Sequence, residues 1–225
     1  MFDSIARRYD TLNHLLSAGL DRRWRARAVR ELHLTGRERV LDVCTGTGDL
    51  GIALLEPPGG AGAQGVVGVD FSHEMLKVGV AKVRRSPFAR RFMLARGDAM
   101  NMPLPGGVFD AATIGFGIRN VQQPDAALRE IARALKPGGR LAILEFGFPR
   151  IPGISAAYKW YFRAVLPRVG RAISKHGKAY SYLPASVERF PTPEAFADEI
   201  RKAGFRQVRA VPLTLGIVYL YIAEL

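Results

Sequence analysis

The 225-residue sequence predicts an α/β fold, a mostly parallel seven-stranded sheet with helices on both faces, on three observations. Short apolar runs alternate with segments of helical length over residues 36–150, the pattern of strands joined by helical crossovers. A glycine-rich turn from Cys44 to Asp49 stands where the first of these runs meets the next helical segment. Two closing apolar runs, at 206–212 and 217–223, are close enough in sequence to pair antiparallel at the end of the sheet.

The elements follow in order. Ile5, Tyr9, Leu12 and Leu16 recur at steps of three and four, one face of a helix over residues 3–17, and a second helix follows Gly19 from Asp21 to about Leu32. Residues 39–44 and 65–70 read as buried strands, with the Pro/Gly-rich stretch 57–64 as a loop between them. A helix is predicted from Ser72 to Arg85, then strands at about 91–96, 109–115 and 140–146. Between the last two, a helix over 124–135 stops at Lys136-Pro-Gly-Gly139. Past Pro149 comes an aromatic, basic segment with Tyr158, Trp160, Tyr161 and Phe162, and then a helix over 193–203. One domain results, 1–225, comprising a helical lid (1–35), a core (36–150), the aromatic and basic segment (151–190) and a C-terminal helix with the strand pair (191–225).

Composition narrows the class. With 48% apolar residues the chain can build a true core, which excludes a disordered or collagen-like protein. The single cysteine, Cys44, cannot form an internal disulfide, and the N-terminus lacks the apolar stretch of a signal peptide, so a reducing cytosol is expected. The net charge of +13 is concentrated in two acid-free tracts. Lys77, Lys82, Arg84, Arg85, Arg90, Arg91 and Arg96 lie between Glu74 and Asp98, and Arg150, Lys159, Arg163, Arg168, Arg171, Lys175 and Lys178 between Glu145 and Glu188. Such runs point to an anionic partner, nucleic acid or a membrane surface, or else to a solvated basic face.

Gly46, Gly48 and Gly51 match the dinucleotide fingerprint in spacing, and Asp70 ends the next strand. Asp49, however, sits where a pyrophosphate would meet the helix N-terminus, and a carboxylate there opposes phosphate. A cofactor without phosphates and with a positive end, S-adenosylmethionine, fits better. Asp70 is then placed to accept from its ribose hydroxyls, and Asp98, after the third strand, from the adenine amino group. Each residue also has a plain structural reading, as turn, cap or loop acid. The four histidines show no ligand spacing, and no metal is expected.

The whole chain resembles the ubiquinone/menaquinone biosynthesis C-methyltransferases, a class I (Rossmann-like) S-adenosylmethionine-dependent family. The resemblance is carried by residues 2–13, 16–19 and Trp24, by Asp42 to Asp49, Gly97 to Ala99, Phe116 to Val121, Leu135 to Gly139, Leu144 to Phe146, Tyr180 to Leu183 with Ser186, and Gly204-Phe205. The N-terminal block and Phe116-Gly-Ile-Arg-Asn120 are its specific parts. It implies cofactor contacts at Thr47, Asp70, Asp98 and Ala99, beside Gly46 and Gly48 of the glycine turn, and a contact usually made by a serine where this chain has Gly115.

The implied reaction is methyl transfer to a ring carbon of a polyprenylated quinol, 2-demethylmenaquinol or its benzoquinol counterpart. Carbon becomes nucleophilic once the neighbouring phenolic OH loses its proton, so a positive group should stabilise the quinolate. Arg119 is the candidate, since guanidinium stays charged; the alternative is that it pairs with an acid while Asn120 caps the next turn. His14 is the candidate proton acceptor or else packs in its helix, and Tyr9, Asn13 and Asn120 are candidate quinol contacts. The second basic tract, with its aromatics, then reads as an interfacial segment. That places the protein in the cytoplasm, peripheral to the inner face of the plasma membrane, in contact with anionic lipid. Nucleic acid is not expected, because the Pro-Pro-aromatic loop of amino-methylating nucleic-acid enzymes is absent. A nicotinamide dehydrogenase is disfavoured by Asp49, and a homodimer is left open.

Overall fold

The computed structural model describes residues 14, 17, 19–57, 60–160 and 185–225. The chain runs through α1 (Leu20–Glu31), β1 (Arg39–Val43), α2 (Asp49–Leu55), β2 (Gly65–Asp70), α3 (His73–Arg84), β3 (Phe92–Arg96) and β4 (Phe109–Gly115). It continues with α4 (Pro124–Ala134), β5 (Leu135–Phe146), α5 (Ile154–Trp160), α6 (Pro193–Lys202), β6 (Arg206–Leu213) and β7 (Val218–Glu224). Single 3-10 turns occupy Ile118–Asn120 and Thr214–Gly216.

The seven strands form one sheet in the order β3-β2-β1-β4-β5-β7-β6. β1 to β5 pair in parallel, and β7 is antiparallel to both β5 and β6, as the two closing runs predict. The order reverses between β1 and β4, which opens a crevice at their carboxyl ends, where ligands of such sheets bind.

Period-2 alternation sends neighbouring strand residues into two different cores. Leu41 and Val43 join Ile114, Ile143, Leu128 and Ile131 of α4, and Phe196 and Ile200 of α6. Val40 joins Val66, Leu144, Leu50 and Leu54 of α2, Trp24 and Ala28 of α1, and Leu32 just past its end. Both faces are therefore dry, which is why the strands read as continuous apolar runs. α4 presents Ala127, Leu128, Ile131 and Ala134 at helical spacing, all fully buried, so Ile131→Ala would cost roughly 2–5 kcal/mol. Helix starts are set by side chains: Ser72 accepts from the Met75 amide ahead of α3, and Thr192 from the Ala195 amide ahead of α6.

One strand begins earlier than expected. Leu135 already pairs with Phe109, and the chain bulges through Lys136-Pro-Gly-Gly139 before Arg140 resumes the ladder opposite Ala111. Gly138, at φ 76°, allows the bulge. The helix expected over 3–17, apart from residues 14 and 17, falls outside the described residues, as does most of the basic segment beyond Trp160.

Candidate cofactor and substrate site

A cavity of about 430 Å³ opens at the carboxyl ends of β1, β2, β3 and β4. Its wall includes Cys44 and Gly46 after β1, Asp70 to Ser72 after β2, Gly97 to Met100 after β3, and Gly115 to Gly117 with Asn120 after β4.

Asp70 organises the glycine loop. Its Oδ2 accepts from the Gly46 amide at 2.7 Å and its Oδ1 from the Ser72 amide at 2.8 Å, so the carboxylate ties the loop to the start of α3. Gly46 and Gly48 hold left-handed conformations, at φ 57° and 84°. Gly51 serves packing: a Cβ there would lie 2.1 Å from the Phe92 ring, so only glycine lets α2 approach β3 this closely. Thr47 and Gly48 are buried beneath the loop and, unlike Gly46, do not line the cavity. Thr47 Oγ1 accepts from Lys82 Nζ at 3.1 Å.

The same lysine reaches Asp49 Oδ1 at 2.6 Å, and Arg25 lies 3.5 Å from Asp49 Oδ2. The charge that the sequence sets against a phosphate is thus partly offset by two cations, and the case against a dinucleotide moves from Asp49 to the acceptors in the cavity. Asp98 lines that cavity, its Oδ1 accepting from the Met100 amide at 2.9 Å in a tight turn that also presents Ala99. These carboxylate acceptors, with the apolar walls of Val69, Met75 and Met100, suit a nucleoside with hydroxyl and amino donors. At Gly115 a Cβ would meet Leu50 Cδ2 at 3.1 Å, so the side chain missing here accompanies a leucine seated against the strand end.

Two strained residues stand on the β1/β4 side. Cys44 and Phe116, at the ends of these adjacent strands, are left-handed without being glycine, at φ 54° and 59°. The Cys44 side chain is accommodated by Gly117, whose Cβ would lie 2.3 Å from that of Cys44. Burial, with the carboxylates of Asp70, Asp42, Glu145 and Asp98 around it, pushes the Cys44 thiol well above its ordinary range, which leaves it a poor nucleophile. Beneath the loop, Asp42 accepts from the hydroxyls of Thr45 at 2.5 Å and Thr113 at 2.7 Å. Burial raises its carboxyl to about 6; the two hydroxyls oppose the rise and the charge of Asp70 adds to it.

Arg119 does not stand free in the cavity. Its Nη1 donates to Glu145 Oε1 at 2.5 Å and to the Phe116 carbonyl at 2.6 Å, and its guanidinium lies over the Phe146 ring, 5.4 Å from the centroid. The pairing with an acid, left open by the sequence, is the arrangement found. Asn120 does line the cavity, its Nδ2 3.5 Å from the Phe116 carbonyl. Phe116 and Phe146 pack at 4.6 Å, and Trp24 of α1 packs on both. Trp24 is fixed in turn by its Nε1, which donates to Thr214 Oγ1 at 2.8 Å.

His14 is not brought to the cavity wall. Its half-exposed ring places Nδ1 3.0 Å from Oδ1 of the buried Asp21. Burial tends to raise the Asp21 carboxyl, but Arg25, His14 and Ser17 outweigh it and hold the group below its ordinary value. Tyr9 and Asn13 lie outside the described residues. Among the described residues no cluster of His, Cys, Asp or Glu could hold a metal ion. The sequence reading assigned no role to Asp42 or Glu145, although each is an acid inside an apolar strand run, a placement rare enough to signal a site.

A profile described as the ubiE/COQ5 methyltransferase family matches residues 1–224. The chain is 50% identical over 221 residues to the ubiquinone/menaquinone biosynthesis C-methyltransferase UbiE of Syntrophotalea carbinolica, covering 98% of this chain and 91% of that protein. It is 46% identical over 224 residues to the demethylmenaquinone methyltransferase of Thermus thermophilus, covering 100% and 99%. In fold it is similar to a putative S-adenosylmethionine-dependent methyltransferase from Methanococcus maripaludis (TM-score 0.68, 18% identity, covering 98% and 92%). A second structure of this fold is a SAM-dependent methyltransferase from Aquifex aeolicus (TM-score 0.61, 21% identity, covering 89% and 87%).

Proposed function

The chain belongs to the ubiE/COQ5 methyltransferase family, whose members use S-adenosylmethionine, and from that premise we propose that it methylates a ring carbon of a polyprenylated quinol, 2-demethylmenaquinol in the first place. The observation that carries the substrate is the near end-to-end match to a demethylmenaquinone methyltransferase at 46% identity.

S-adenosylmethionine supplies a methyl group on a sulfonium. This chain's part is to bind, orient and keep water out. Asp70, which also fixes the glycine loop, would accept from the ribose hydroxyls, and Asp98 would accept from the adenine amino group. Phe116, Gly117 and Asn120 form the wall on the β4 side, where the quinol ring is received. With cofactor and quinol bound, the phenolic OH would give up its proton to solvent, the ring carbon would take the methyl from the sulfonium, and loss of the ring C–H proton to solvent would restore the aromatic ring. Orientation of carbon, methyl and sulfur in line supplies much of the rate.

Labelled S-adenosylmethionine offered with 2-demethylmenaquinol and with a 2-polyprenyl-6-methoxy-1,4-benzoquinol should label the menaquinol. The 50% identical relative is named for both quinones, which favours benzoquinol as the second reading; label on that product alone would establish it. Label appearing only in purified ribosomal RNA would overturn both.

A polyprenyl tail resides in a bilayer, so we infer a cytoplasmic protein bound peripherally to anionic lipid at the inner face of the plasma membrane. No helix among the described residues is long and apolar enough to cross a membrane. Trp160, 66% exposed at the end of α5, supports contact from within the described part of the aromatic and basic segment. Arg150 contributes less than its charge suggests, because it pairs with Glu194. Sedimentation with anionic liposomes should be strong at low salt and weaken as salt rises; no binding at low salt removes the membrane inference and leaves the enzyme.

A further inference from the structure

Glu145, the last residue but one of β5, has a side chain fully shielded from solvent and pairs with Arg119 just behind the cavity wall. Oε1 accepts from Arg119 Nη1 at 2.5 Å and from the Phe146 amide at 2.8 Å, while Oε2 accepts from the Arg119 amide at 3.3 Å. Arg119 is nearly as buried, 6% exposed, and its Nη1 also holds the Phe116 carbonyl. The opposite edge of the guanidinium is different: Nε is buried and has no acceptor among the described residues. Its flanking residues Phe116, Gly117 and Asn120 line the cavity, and Cys44 on the same wall feels the Glu145 charge.

A buried ion pair is a weak device for stability, since apolar residues of the same volume generally do as well. A buried donor left without an acceptor is rarer still and calls for an explanation. We propose that Glu145 is a positioning residue for methyl transfer, clamping Arg119 by one edge so that its Nε–H edge is kept for the quinol oxygen, directly or through one water. The proposal rests on the quinol reading above. Glu145 and Arg119 together carry no net charge, so the pair acts as a fixed, directed donor: it stabilises the oxygen as its proton leaves and does not require a free cation in the cavity.

The test compares Glu145→Gln, which keeps the reach and removes the charge, with Glu145→Asp, which keeps the charge and draws the guanidinium back. Both should lower kcat for 2-demethylmenaquinol about tenfold or more while S-adenosylhomocysteine affinity stays within about twofold. Arg119→Met should fall at least as far, and Arg119→Met/Glu145→Gln should be no slower than Arg119→Met alone, because Glu145 acts through the arginine. The double variant removes both charges together, and Glu145→Asp retains the pair, so the comparison survives if Glu145→Gln fails to fold. Additive losses in the double variant, kcat within about twofold of wild type in the single variants, or cofactor-product affinity falling in step with kcat would each overturn the clamp. A wild type that labels no quinol overturns the substrate reading and the clamp with it; an active wild type with undiminished variants overturns the clamp alone.

Discussion

Glu38, just ahead of β1, and Asp42, inside it, are both buried carboxyls, and their surroundings drive them in opposite directions. At Glu38 burial is outweighed by the Thr35 hydroxyl at 2.8 Å and the amides of Thr35, Gly36 and Arg37 at 2.9 to 3.1 Å, which bring the group down to about 2. At Asp42 burial prevails over two hydroxyls, and the group stands at about 6. The amino end of the sheet is satisfied: Asp110 likewise accepts from the Arg39 amide and from Lys136. The carboxyl end holds the left-handed Cys44 and Phe116, the raised Asp42 and the orphaned Nε of Arg119. The unsatisfied and charge-raised groups stand where ligands bind, whereas the carboxylates of the opposite edge are satisfied.

The largest effect that sharpens this contrast is on cofactor affinity. Asp70→Ala removes the acceptor that ties Gly46 to Ser72 and the proposed ribose partner, so S-adenosylhomocysteine binding should weaken about 100-fold or more by calorimetry. Glu38→Gln, at the other end, should leave that affinity within about twofold. An Asp70→Ala protein that binds as wild type does would mean that Asp70 only shapes the loop.

Next comes Gly117→Ala. The added Cβ would lie 2.3 Å from Cys44 Cβ, an atom held on the backbone and unable to swing away, so a loss of roughly 1–3 kcal/mol in urea unfolding is expected. Cys44→Gly, which also relieves the left-handed φ at 44, should recover most of it in the double variant. Simple additivity of the two changes would show that their contact is not the cause.

These two predictions also mark what the sequence could show. Asp70, Asp98 and the glycine turn were legible because each follows a strand in a local pattern of fixed spacing. The Cys44–Gly117 and Arg119–Glu145 contacts were not, because they depend on which strands are neighbours and in what register: Gly115 stands opposite Leu144 in the β4–β5 ladder, which brings the residues that follow each together. Thr47 and Gly48 belong to the motif, yet the turn points them into the protein. His14, the candidate proton acceptor, sits near the front of the chain with Tyr9 and Asn13, but its ring turns to Asp21.

Glu38→Gln should cost about 1–3 kcal/mol at neutral pH, because the amides at 35–37 lose a charged acceptor. The group is lowered from 4.5 to about 2, so its contribution is complete above 4.5 and disappears as pH falls toward 2. In the variant that part of acid unfolding should be missing, which would appear as a smaller stability gap to wild type at low pH.

Asp42→Asn should show the smallest change and the reverse sign. The folded protein holds this proton up to about 6, whereas an unfolded chain releases it near 3.8, so between those values the native state binds more protons. Wild-type stability relative to Asp42→Asn should therefore fall, by about 1–2 kcal/mol, as pH rises from 4 to 6 and stay level above that. Urea unfolding of both proteins at several pH values across this window measures it. A gap that widened in favour of wild type with rising pH would mean that the Thr45 and Thr113 hydroxyls outweigh burial after all, and the two ends of β1 would then be electrostatically alike.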